Sequence, residues 1–367
     1  MIKPLVATTI AIISLAVSGA HCEAQLQFNT NSVNDVDADA AIQAATNNWA
    51  VEFEDNITVN VNFSFANLGA GAIATSSNAT QSNTYVAFRN ALTNDVRSVD
   101  DLTTVSGLST GSTFSVYINR TSEATGVGGI TPYVDDDGGA NNSNVVLTTA
   151  NAKALGLRSA TDTASDGAIV FNSGVPWDFD PSDGITPGTL DFVGVATHEI
   201  GHTLGFESGV DDLDSLLFNT GGIGSIGGTP SISAPDDNDL AFVTPLDFLR
   251  FSDDSVIAGA DIDWTADTRD KFYSIDGGLT AAIGGTSHWS TGFNFGDGQE
   301  ASHWRNGAGI GILNPVATAG ASLAVSATDV QAFDVIGFDR VIAPVPEPSS
   351  SMLMLLGAGA LFFRRRR

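Results

Sequence analysis

Apolar and polar positions along this chain recur with two periods, and each predicts a different element. From Ile57 to Phe65 the residues Ile57, Val59, Val61, Phe63 and Phe65 alternate with polar ones, the pattern of a half-buried strand. The alanine-rich stretch Asp35–Ala50 has acids near its start, where a helix N-terminus favours negative charge, and predicts a helix. Tyr85–Val99 predicts a second helix, Phe114–Asn119 and Val145–Thr149 strands, Ala152–Leu157 a short helix, and Ala168–Asn172 a short apolar strand. Loops rich in Gly, Asn and Asp separate them, among them Asp135–Gly139 and the acidic turn Trp177–Gly184.

A further helix starts near Asp191, with Phe192, Val193, Val195, Ala196, Ile200 and Leu204 as its buried surface. Gly205 ends it by taking a left-handed conformation that turns the chain away. Gly201 inside it costs about 1 kcal/mol relative to alanine, which predicts that something packs closely against that position. This mixture of helices and strands points to an α/β fold, a twisted mixed sheet with packing helices, rather than a barrel or a bundle.

Length and charge narrow the class. The chain has 367 residues, with 42 acidic against 15 basic side chains and a formal charge of −27. Nucleic acid is therefore not an expected partner. Residues 1–24, with Lys3, the apolar run Leu5–Val17 and small residues after it, read as a secretory signal peptide. The only cysteine, Cys22, falls in the cleavage region, so neither disulfides nor a thiolate ligand is expected in the exported protein. Residues 25–342 then form one large domain, and 343–367 a tail of Pro346-Glu347-Pro348, the apolar run Met352–Phe363 and Arg364–Arg367. Twelve helical residues span only about 18 Å against ~30 Å of hydrocarbon, so the tail predicts transient membrane association rather than a permanent anchor.

The chemistry concentrates in Thr197–Gly209. His198 and His202 lie four residues apart, which on a helix brings both imidazoles to one face at a rise of about 6 Å. Glu199 stands beside them as the general base that an H-E-x-x-H zinc site places next to an activated water. A catalytic zinc ion takes three protein ligands and keeps one position open, so one ligand remains to be found. The short metzincin spacing puts it at Ser208, a poor zinc ligand. The remaining candidates are the acids Glu207, Asp211 and Asp212 and the two later histidines, His288 and His303, each within a Ser-His-Trp tripeptide. The run Asp35-Val36-Asp37-Ala38-Asp39 raises calcium as a second ion but lacks the glycine and distal glutamate of an EF-hand loop.

His198–Phe206, the long insertion Glu207–Ser302, His303-Trp304 and Ile312-Leu313-Asn314-Pro315 together resemble leishmanolysin-type metzincins. There a late His-Trp supplies the third ligand and a methionine turn lies under the metal; Leu313 stands in the methionine's place. Thr244–Ser252, Asp297–Trp304 and Asp329–Gly337, with the Pro-Glu-Pro tail, are similar to bacterial exported PEP-CTERM metalloproteases. The resemblance implies a metzincin-like zincin fold and zinc held by His198, His202 and His303. It further implies Glu199-assisted hydrolysis of protein or peptide substrates, and sorting of the tail by an exosortase-type enzyme at a Gram-negative cell surface. A catalytically inactive surface or matrix protein on the same fold is the alternative.

Overall fold

The alternating stretch near Ile57 becomes the strand Thr58–Ala66 at the centre of the largest sheet. The computed structural model describes residues 26–124, 129–219 and 234–342; the expected signal peptide and sorting tail lie outside the described residues. The sheet runs in the order Gln27–Thr30, Thr58–Ala66, Gly167–Asn172, Ala74–Asn78. The first three strands are parallel and Ala74–Asn78 closes one side antiparallel. The apolar strand expected at Ala168–Asn172 exists and is paired on both sides, so it is not an edge on which a peptide could lie; Ala74–Asn78 is the edge beside it.

Two helices share the core of this sheet. Val36–Ala50 begins at Asp35, whose carboxylate accepts the amides of Asp37 and Ala38 at 3.1 and 3.2 Å. Asp39 accepts the Val33 amide at 2.8 Å, so within the run Asp35–Asp39 one acid caps the helix and another fastens the loop before it. The motif helix, Phe192–Leu204, is capped by Asp191 and stopped by Gly205 at φ 127°. Trp49 fixes the two helices together, its indole donating to the Thr197 carbonyl at 2.8 Å. All six apolar positions assigned to the motif helix are buried.

The expected helix Tyr85–Val99 is two helices, Tyr85–Asp95 and Val99–Gly107. Ser98 starts the second, exchanging hydrogen bonds with Asp101 in a capping box, and a residue that caps one helix cannot continue another. The short helix after Thr148 spans Thr149–Ala154, earlier than its expected Ala152–Leu157, because the Thr148 hydroxyl caps it there. Phe114–Asn119 shrinks to the strand Val116–Ile118. What results is a mixed α/β arrangement of several small sheets and helices.

Apolar burial divides into two clusters. One fills the space between the four-stranded sheet, the two helices and the aromatic group Trp49, Phe206, Trp289, Trp304 and Phe333. The other gathers Tyr85, Phe88, Phe114, Phe248 and Trp264, so the insertion after the motif helix shares a second core with the segments around Tyr85 and Phe114. The two Ser-His-Trp tripeptides meet: Trp289 and Trp304 face each other in an antiparallel bridge, their rings stacked at 4.4 Å. That pairing carries the chain from the insertion back to the motif helix. Among the described residues, no helix is long and apolar enough to cross a membrane.

Candidate metal centre

Helical periodicity puts His198 and His202 on one face of the motif helix, and the returning chain brings His303 against them. The three Nε2 atoms converge: His198 to His202 3.1 Å, His202 to His303 3.2 Å, His198 to His303 3.2 Å. Every Nδ1 faces a backbone carbonyl, that of Ile312 for His198 (2.8 Å), Phe206 for His202 (2.8 Å) and Glu300 for His303 (3.3 Å). A carbonyl only accepts, so each Nδ1 carries the proton and each Nε2 lone pair points at the common centre. Burial holds the His198 pKa below its usual value; burial and the neighbouring imidazoles push His202 down to about 3 and His303 well below 6.5. The imidazoles are thus neutral at physiological pH, the form that binds a cation.

The other candidates for the third position have separate tasks. Asp211 receives the amides of Ala301 and Ser302 at 2.5 and 2.8 Å and the Ser302 hydroxyl at 2.5 Å, and so grips the backbone just before His303. His288 accepts the Tyr273 amide on Nδ1 at 3.0 Å and donates from Nε2 to the Gly284 carbonyl at 3.2 Å, which occupies both nitrogens within its loop. Glu207 accepts from Asn78 at 2.7 Å, tying the chain after the motif helix to the edge strand. Ser208 donates to Asp247 at 2.6 Å. Asp212 is not part of the histidine grouping.

Glu199 lies in the same cleft, with Ser76 of the edge strand beside its carboxyl. Burial pushes its pKa up to about 8, with Ser76 opposing the rise. A divalent ion at the histidines would pull that value back down, because a nearby positive charge favours the carboxylate. The cleft measures about 500 Å³ and is bordered by Gly71–Ser76 on one side and by Phe293, Gln299 and Glu300 on the other.

Underneath, Leu313 fills the space that Gly201 leaves: a Cβ built on Gly201 would lie 3.1 Å from Leu313 Cδ1 and 3.4 Å from Trp49 Cζ2. This is the close packing that a glycine inside the helix predicts. The turn Ile312-Leu313 is set by Asp329, whose carboxylate accepts the Trp304 indole at 2.7 Å and the Ile312 amide at 2.8 Å. Asp329 thus joins the third histidine's neighbour to the carbonyl that orients His198. Neither Asp211 nor Asp329 could be assigned this role from the sequence, although Ser326-x-x-Asp329 is readable as a capping box.

Residues 344–367 match the model of the PEP-CTERM protein-sorting motif. No curated protein and no solved structure matches the chain. The sorting motif marks an exported, surface-associated protein of a Gram-negative bacterium that an exosortase-type sorting enzyme recognises.

Proposed function

We propose that this chain is an exported zinc-dependent endopeptidase of metzincin-like build. The observation that carries the reading is the convergence of three Nε2 atoms at 3.1–3.2 Å, with every Nδ1 held by a carbonyl, beside Glu199 in an open cleft. Three nitrogens each 2.0–2.1 Å from a tetrahedral zinc ion would be separated by about 3.3 Å, so the donor set fits that ion in number, kind and spacing. His198, His202 and His303 would hold it, and their carbonyl partners would fix ring orientation.

Bound zinc would supply Lewis acidity, polarising the scissile carbonyl and lowering the pKa of water. Glu199 would accept a proton from the attacking water and return it to the leaving amine nitrogen. The free edge of Ala74–Asn78 runs beside the cleft and would align an extended peptide by strand addition. Leu313 under Gly201 supplies an apolar floor, which supports the metzincin-like reading without a methionine.

Cleavage of casein or gelatin by the zinc-loaded protein, abolished in Glu199→Gln with metal content unchanged, is the expected result. A wild-type protein that binds zinc yet cleaves neither these substrates nor a peptide library would instead be a non-catalytic surface or matrix protein on the same fold.

A further inference from the structure

The segment that carries His303 is held by its amides on one side and by its carbonyls on the other. Asp211 accepts the amides of Ala301 and Ser302, just ahead of the ligand. Ser290, wholly buried, follows the tripeptide Ser287-His288-Trp289 and donates twice to the carbonyls from the ligand onward. Its amide reaches the His303 carbonyl at 3.0 Å and its hydroxyl the Trp304 carbonyl at 3.0 Å. The Ser290 carbonyl in turn accepts from Arg250 Nη1 at 2.9 Å.

Arg250 lies in the two-residue strand Arg250–Phe251 of the insertion and is 2% exposed. Among the described residues it forms no ion pair, and its Nε and Nη2 meet no acceptor. Burial lowers its pKa, with Asp263 and Asp247 opposing. Burying an unpaired guanidinium is costly, and an apolar side chain of similar volume often fills such space at lower cost. Its one directed contact is the bond to Ser290. A charged donor holds a carbonyl about twice as strongly as a neutral one, so that bond fixes the Ser290 backbone where both of its own donors reach the His303 segment.

We propose that Arg250 is a positioning residue of the metal centre, setting the place of the His303 imidazole through Ser290. This role rests on the metal-binding reading of His198, His202 and His303, and Arg250 itself lies outside the cleft lining. It gives the insertion a hold on the third ligand.

The purified chain is assayed for zinc affinity by chelator competition, for the visible absorption of its cobalt(II) form, and for Tm without metal. Arg250→Met should weaken zinc by about tenfold and alter the cobalt absorption, and Arg250→Lys, which keeps a cationic donor, should restore most of both. Phe88→Leu, in the other apolar cluster, is the control for a purely structural loss: it should lower the metal-free Tm and leave both metal readouts near wild type. Should Arg250→Met fail to fold, Ser290→Ala removes only the hydroxyl and should weaken zinc in the same direction. Wild-type zinc affinity and cobalt absorption in the variants of both residues, or losses that Phe88→Leu matches, would overturn the proposal. A wild-type chain that takes up neither metal would overturn the metal-binding reading instead. Hydrogen exchange at the Ser290 amide of the metal-free protein then decides, faster in Arg250→Met if the guanidinium holds this segment and unchanged if it does not.

Discussion

Asp211 Oδ2 accepts both the backbone amide and the hydroxyl of Ser302, the residue before His303. A carboxylate that offered itself as a ligand from the sequence is therefore a clamp on the segment that carries His303. Groups that orient metal ligands commonly change affinity by about 10–100-fold when removed. We expect Asp211→Ala to weaken zinc binding by that factor while His303→Ala loses stoichiometric zinc, both measured by chelator competition. A general loss of structure would lower Tm in step with affinity. Ser302→Ala removes one of the bonds to Asp211 and should weaken zinc with little change in Tm.

The contact between Gly201 and Leu313 predicts a coupled pair. Alanine at 201 should gain about 1 kcal/mol in helix propensity. It also drives a methyl to 3.1 Å from Leu313 Cδ1, and overpacking of this kind costs about 1–3 kcal/mol. Gly201→Ala should thus be neutral to destabilising in the wild-type background and less harmful beside Leu313→Ala. Urea unfolding of the double-mutant cycle should give a coupling of about 0.5–3 kcal/mol, and additivity would sink the idea. Leu313→Met, a volume-conserving change, should cost under about 1.5 kcal/mol.

How much of this could be read beforehand depends on whether a residue's role leaves a periodic trace. The motif helix was legible because its apolar face, its Asp191 cap and its Gly205 stop are all local signals. Ala74–Asn78 was not: it reads Ala-Thr-Ser-Ser-Asn, and a strand flanking an open cleft needs no apolar alternation. The break between Asp95 and Val99 was readable in Ser98-x-x-Asp101 but lay inside a continuous helical composition. Asp211 and Asp329 act through backbone groups 90 and 17 residues away, contacts that depend on the fold and not on spacing.

A group of carboxylates near the end of the domain makes stability depend on pH. Burial first, then repulsion by neighbouring acids, raises Asp55 to about 8 and Asp95 to about 7. Asp334 and Asp339 rise to about 6, mainly through burial, with Arg340 and Arg97 respectively opposing. Each folded pKa exceeds the ordinary 3.8, so the native state holds protons that the unfolded chain has released. Their stabilisation is complete below about pH 4 and is lost as pH rises through the folded values, between about 4 and 8. Asp55 isolates the effect, because asparagine can still accept the Asp339 amide, now at 2.9 Å. Asp55→Asn should match the wild type near pH 4 and gain stability relative to it, by on the order of 1 kcal/mol per pH unit, up to about pH 8. Parallel denaturation profiles for the two proteins would refute this.

The edge strand offers the sharpest test of peptide alignment. The Asn172 amide donates to the Ile73 carbonyl and the Ala79 amide to the Asp166 carbonyl, so the odd-numbered residues 73–79 direct their backbone groups inward to Gly167–Asn172. Ala74 and Ser76, the alternate positions, then direct theirs to the free side, toward the cleft. Proline is tolerated at the first residue of an edge strand when the lost amide faces outward. Ala74→Pro should therefore fold with a nearly unchanged Tm and bind zinc normally. Its kcat/KM on casein-derived peptides should fall by about tenfold, the worth of about one hydrogen bond to the substrate backbone. Thr75→Pro removes an inward amide and should lower the Tm instead. Full activity in Ala74→Pro would mean that substrates do not pair with this strand, whatever the histidines hold.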